Sequence, residues 1–148
     1  MAVLLDTGPW VALMSRSDTH HNWALEQFRR LPPPLLSCEP VVAETCFLLA
    51  RAGFDPAVAL QFIERGVVQL PFVLEEQIQA VSGLFKRYQN VPASLADASL
   101  VRLAEISDAP PCSPSIAIST SIAAMAARSS PSSPPESAAK LAETVQSS

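Results

Sequence analysis

What this 148-residue chain lacks narrows it before anything else does. Its 4 glycines are scattered, so no glycine-rich loop is available to cradle phosphates. Its 3 cysteines, Cys38, Cys46 and Cys112, stand at no metal-ligand spacing, which suggests reduced thiols in a cytosolic protein. The 2 histidines, His20 and His21, are adjacent. On a helix they point about 100° apart, cannot chelate one metal as a pair, and are expected to be partly exposed. No uncharged apolar run approaches the ~18 residues of a membrane span, so no membrane partner is expected. The N-terminus enters strand-like sequence at once, without the basic segment that opens a signal peptide. Excess positive charge is also missing: Lys and Arg number 10 against 14 Asp and Glu, a net −4. That balance weighs against a protein that grips nucleic acid mainly by its phosphates, and leaves the task to local cations.

Apolar residues, in contrast, make up 49% of the chain, enough for one domain with a real core over residues 1–110. Residues 2–5 read as a short buried strand of the kind found in parallel sheets. A short helix is expected at 10–14, and Asp18 is placed to cap another that runs to Arg30. Pro32-Pro33-Pro34 stops that helix ahead of a candidate strand at 35–37. Pro40 suits the first turn of a helix ending at Gly53, and Asp55-Pro56 opens another that closes at Gly66. Residues 67–70 are a third strand, 74–89 an amphipathic helix, and Ser94 caps a last helix to about Ile106. Strands alternating with helices imply an α/β fold built on a parallel sheet.

Three carboxylates stand out against this apolar background, where such groups are costly unless a metal ion or hydrogen bonds compensate them. Asp6 ends the first strand, where open parallel sheets bind ligands, although an Asp capping the turn at Thr7-Gly8 would look the same. Asp97 shares a helix face with Leu100, Val101 and Ala104. Its bland reading is the box Ser94-x-x-Asp97, which needs no apolar neighbours, so a functional role is favoured. Glu44 lies beside Val41 and Leu48, with Arg51 near enough to make it an ordinary surface ion pair. Asp6-Thr7-Gly8 also spells the aspartic-protease triplet. That chemistry needs a β-rich fold and a second such loop, and this chain is mostly helical after residue 8.

Leu5-Asp6-Thr7-Gly8-Pro9, Val42-Ala43-Glu44 and Leu95-Ala96-Asp97-Ala98-Ser99-Leu100 together resemble, in order and spacing, the three acidic motifs of PIN domains. The short N-terminus is most similar to that of VapC-type toxins. The resemblance covers residues 1 to about 108. It implies a three-layer α/β/α sandwich with a parallel central sheet, and an endoribonuclease dependent on magnesium or manganese. Asp6, Glu44 and Asp97 would converge as catalytic metal ligands, with Thr7 supporting Asp6. Implied partners are RNA, a small antitoxin and a second copy of the chain, in the cytoplasm. The rival from another class is a catalytically dead domain that still binds antitoxin or a sister subunit.

The tail departs from the family pattern. Of the 38 residues from 111 to 148, 24 are Ser, Ala or Pro, without an aromatic residue or net charge. Such a segment lacks the apolar surface to offset the entropy of ordering, although 115–120 could be a strand and 123–127 a helical turn. PIN domains usually continue into a strand ending in a fourth acidic motif resembling Thr-x-Asp-x-Asp-Phe. Here residues 109–135 contain no acid, and Glu136 and Glu143 come too late. Ser94 also stands where many relatives carry an additional acid. Read from the third base of each codon into the next, synonymous choices for Pro111 to Glu136 allow Val-Leu-Thr-Ile-Asp-Ser-Asp-Phe-Asn-Ile-Tyr-Arg-Arg. Its first Asp straddles Ser115 and Ile116, and a stop codon can follow across Pro135 and Glu136. Residues 111–148 therefore read as a candidate frameshift product, with activity and stability impaired and a mobile end from about residue 129.

Overall fold

Three apolar stretches meet in parallel at the centre of the molecule. In this computed structural model, which describes residues 2–107, strand β1 (Leu35–Leu36) pairs with β2 (Val68–Gln69), Leu35 opposite Val68. On the other edge of β1, Leu4 forms a parallel bridge with Leu36. The Leu36 N–H donates to the Val3 carbonyl at 2.8 Å, and the Leu5 N–H donates to the Leu36 carbonyl at 2.8 Å. The strand expected at 2–5 is thus a bridge, because Asp6 turns the chain into a helix as soon as these bonds are made. The expected strand at 115–120, the turn at 123–127, Cys112, Glu136, Glu143 and the mobile end all lie outside the described residues.

Helix α1 (Thr7–Met14) starts three residues before the expected Trp10. Asp6 causes the shift: its Oδ1 accepts the Thr7 N–H at 2.7 Å, and Pro9 falls in the first turn, where a missing N–H costs nothing. Helix α2 (His21–Arg30) starts later than expected. Asp18 makes a turn ahead of it, with Oδ1 accepting the His20 N–H at 2.7 Å and its carbonyl accepting the His21 N–H at 3.1 Å. The histidine expectation needs correcting too. His20 is exposed, but His21 is buried, with ring Nδ1 2.8 Å from the Ala12 carbonyl oxygen. It ties the start of α2 to the last turn of α1.

Helix α3 (Glu39–Arg51) carries Pro40 in its first turn, and α4 (Ala57–Glu64) follows Asp55, whose Oδ1 accepts the Ala57 N–H at 2.9 Å. The expected stops hold. Gly53 and Gly66 have φ of 85° and 71°, a left-handed backbone that disfavours side chains with a Cβ. The amphipathic stretch divides into a 3₁₀ turn (Glu75–Gln77) and α5 (Ile78–Arg87), and α6 spans Leu95–Ile106. Helix α1 packs on α2 and α3, α3 also on α4 and α6, and α5 on α6. Trp10 of α1 and Phe62 of α4 meet edge to face in the core, 6.1 Å between centroids at 70°. This packing brings the starts of α1 and α6 to the middle of α3.

Candidate active site

Asp6 sits at the carboxyl end of the first parallel segment and is only 6% exposed. Burying a carboxylate is expensive, and the backbone N–H of Thr7 meets part of that cost. Thr7 is also buried, and its hydroxyl reaches across to α3, donating to Glu44 Oε2 at a long 3.3 Å. Arg51, the residue that could have made Glu44 half of a surface ion pair, instead lies over the Phe47 ring, 5.7 Å from its centroid. Glu44 is half-buried and held by Thr7.

Asp97 plays both parts that had looked like alternatives. The capping box is formed: the Ser94 N–H donates to Asp97 Oδ2 at 2.9 Å, and the Asp97 N–H donates to Ser94 Oγ at 3.1 Å. The same half-buried side chain lines an open cleft of about 580 Å³ together with Asp6, Thr7 and Glu44. Gly8, Leu48, Pro92, Ala93 and Ser94 complete its wall. Two helices, α1 and α6, begin at this cleft, and their N-terminal N–H groups offset negative charge there. The field of Asp6 also reaches Cys38 at the start of α3. Burial pushes that thiol up to about 11, the Val41 backbone N–H opposes the rise, and the charges of Asp6 and Glu39 add to it.

All-oxygen carboxylate donors suit a hard divalent ion, and all three acids open onto one cleft. As they stand, no three His, Cys, Asp or Glu side chains among the described residues are grouped so as to hold an ion. Glu44 Oε2 is engaged by Thr7 and Asp97 Oδ2 by Ser94. The donor set therefore fits such an ion in type and in shared access, with the side chains not yet closed around one.

A PIN domain model matches residues 3–120. The chain belongs to the PIN-domain family. Among solved structures it resembles that of VapC20 from Mycobacterium tuberculosis, a Sarcin-Ricin loop cleaving toxin. The TM-score is 0.64 at 26% identity, over 72% of this chain and 83% of that one. No curated protein sequence matches it. The α/β architecture is thus that of a VapC-like PIN domain, and the family is one of ribonucleases. The PIN match continues past residue 108 and takes in 115–120. Among the described residues, no helix is long and apolar enough to cross a membrane.

Within this PIN domain, sequence reasoning singled out Asp6, Thr7, Glu44 and Asp97, and all four line the cleft. Gly8, Leu48, Pro92 and Ala93 were not expected in its wall, whereas Ser94 stands where many relatives carry an additional acid. The signal was present in the Ser94 cap: a helix N-terminus directs backbone N–H groups outward, where an anion can meet them.

Proposed function

We propose that this PIN domain is a metal-dependent endoribonuclease of the toxin type, hydrolysing RNA phosphodiester bonds at the cleft. The observation that carries this reading is the convergence of three acids, from a strand end, a helix middle and a helix start, on one open cavity. Asp6, Glu44 and Asp97 would hold the Mg²⁺ or Mn²⁺ ion. Thr7 positions two of them, giving its backbone N–H to Asp6 and its hydroxyl to Glu44. When bound, such an ion supplies Lewis acidity at the phosphate and a water of lowered pKa as nucleophile. The chain's own part is to fix the carboxylates on rigid elements and keep the cleft open to a polymer. The helix starts at Thr7 and Leu95 supply N–H dipoles that temper the repulsion between an acidic wall and an anionic backbone. The RNA-cleaving activity of the similar toxin supports the substrate class.

The partners in this reading are RNA, a small antitoxin lying across the cleft and a second copy of the chain, in the cytoplasm. Cleavage of RNA in magnesium by wild type and by Asp6→Asn tests it, and the variant should be inactive. Cleavage that survives Asp6→Asn removes this cleft from the chemistry. A chain that binds antitoxin but never cleaves is instead a catalytically dead interaction module.

Residues 1–110 form the nuclease domain in this proposal, and 111–148 are a frameshift product that impairs activity. The DNA of the locus tests the second point, since its third-base frame should encode the Asp-x-Asp-Phe stretch. Replacing 111–148 by that frame should restore cleavage and raise the melting temperature. A replacement no more active or stable than the present chain would mark the tail as native.

A further inference from the structure

Beside the cleft, α5 and α6 leave a shallow apolar groove of about 50 Å³ between them. Leu84, Phe85 and Tyr88 form one side, and Ala98 and Val101 form the other. Ala93 and Asp97 line both groove and cleft, so the two are continuous. Phe85 and Tyr88 remain 38% and 44% exposed, although each offers enough apolar surface to be worth burying.

We propose that Tyr88 and Phe85 form a stacking subsite for an unpaired nucleobase of the RNA whose backbone lies in the cleft. This rests on the ribonuclease reading above. The groove is too small to engulf a base, so the base would lie against the ring faces at its rim, as unstacked bases do on aromatic platforms. The groove's continuity with the cleft through Ala93 and Asp97 favours the polymer whose backbone already lies there over a separate peptide. Stacking on a π face tolerates every base, so the subsite selects for single-stranded character, with purines ahead of pyrimidines.

The test is binding of the full chain, with calcium replacing magnesium, to fluorescein-labelled single-stranded oligoadenylate. The comparison is a sugar–phosphate strand of the same length lacking bases. Wild type should bind oligoadenylate roughly 5- to 160-fold more tightly, the range that one stacked base supplies. Tyr88→Leu should lose most of that preference without changing its affinity for the base-free strand, and Tyr88→Phe should keep it. Equal wild-type affinity for the two strands overturns the subsite, and that comparison needs no variant that might misfold. Full preference retained in folded Tyr88→Leu overturns it too, and leaves the groove to a protein segment. If Asp6→Asn abolishes cleavage while base preference is absent, the subsite alone fails. If neither strand binds, the ribonuclease reading fails with it.

Discussion

The starts of α1 and α6 face the same cleft and each presents an aspartate, yet they are held by different means. Asp6 is locked from behind: Leu4 and Leu5 are buried, the strand bridge fixes their backbone, and Trp10 one turn on is completely buried. Asp97 is held by the reciprocal bonds with Ser94 at a helix start whose first residue, Leu95, is 41% exposed, with Ala96 and Ala98 buried on either side of it. One acid derives its position mainly from the core and the other mainly from the four-residue box Ser94-x-x-Asp97. Changes at the α1 end that alter shape or remove the hydrogen-bond acceptor should therefore cost more of the fold than loss of the Ser94 cap at the α6 end.

The largest expected effect separates chemistry from stability at these two ends. Asp6→Asn and Asp97→Asn should each lower cleavage by at least about 100-fold, the scale seen when a key electrostatic group is removed. Both should keep melting temperatures near wild type, because an amide oxygen can still accept the N–H bond each carboxylate receives. A variant that loses activity only by unfolding would place that acid in the structure, not the reaction.

Cys38 probes the α1 side next, through the alkaline limit. Its folded thiol ionises near 11 against about 9 for an ordinary thiol. Between those values the unfolded chain releases a proton that the folded chain keeps, so stability is full below about pH 9 and falls as pH rises. The loss is on the order of 3 kcal/mol once both limits are passed. Urea unfolding of wild type and Cys38→Ala at increasing pH should show a steeper decline in wild type, and parallel curves would refute the buried-thiol account.

Thr7→Val removes the hydroxyl bond from the α1 end to Glu44 of α3 while keeping shape. Outer-shell partners of this kind contribute about 10- to 100-fold to metal affinity. Magnesium activation should weaken toward the lower figure, with maximal cleavage at saturating metal little changed. Unaltered metal dependence would mean that the long contact has no role in placing Glu44.

The smallest effect belongs to the α6 end. Ser94→Ala should cost about 1 kcal/mol by thermal unfolding, the usual worth of a helix cap. Cleavage should fall less than in Asp97→Asn, since the carboxylate stays. A destabilisation as large as that of a core truncation would show the Ser94 cap to be coupled to the core as tightly as the α1 start, and the contrast between the two ends would be lost.

Much of this protein was determined locally and could be read from the chain. Gly53, Gly66, Asp55 and Ser94 set helix limits through the conformations and hydrogen bonds of a few adjacent residues, and such signals need no distant partner. The acidic motifs likewise marked Asp6, Glu44 and Asp97, because a carboxylate in an apolar stripe demands a reason. The tertiary structure decided what depended on contacts between elements. It shortened residues 2–5 to a bridge, buried His21 against the Ala12 carbonyl, and turned Arg51 onto Phe47 and away from Glu44. It also let Asp97 cap a helix and line the cleft at once. Neighbours along the chain decide a cap, but only the packing of α1, α3 and α6 decides what a side chain faces.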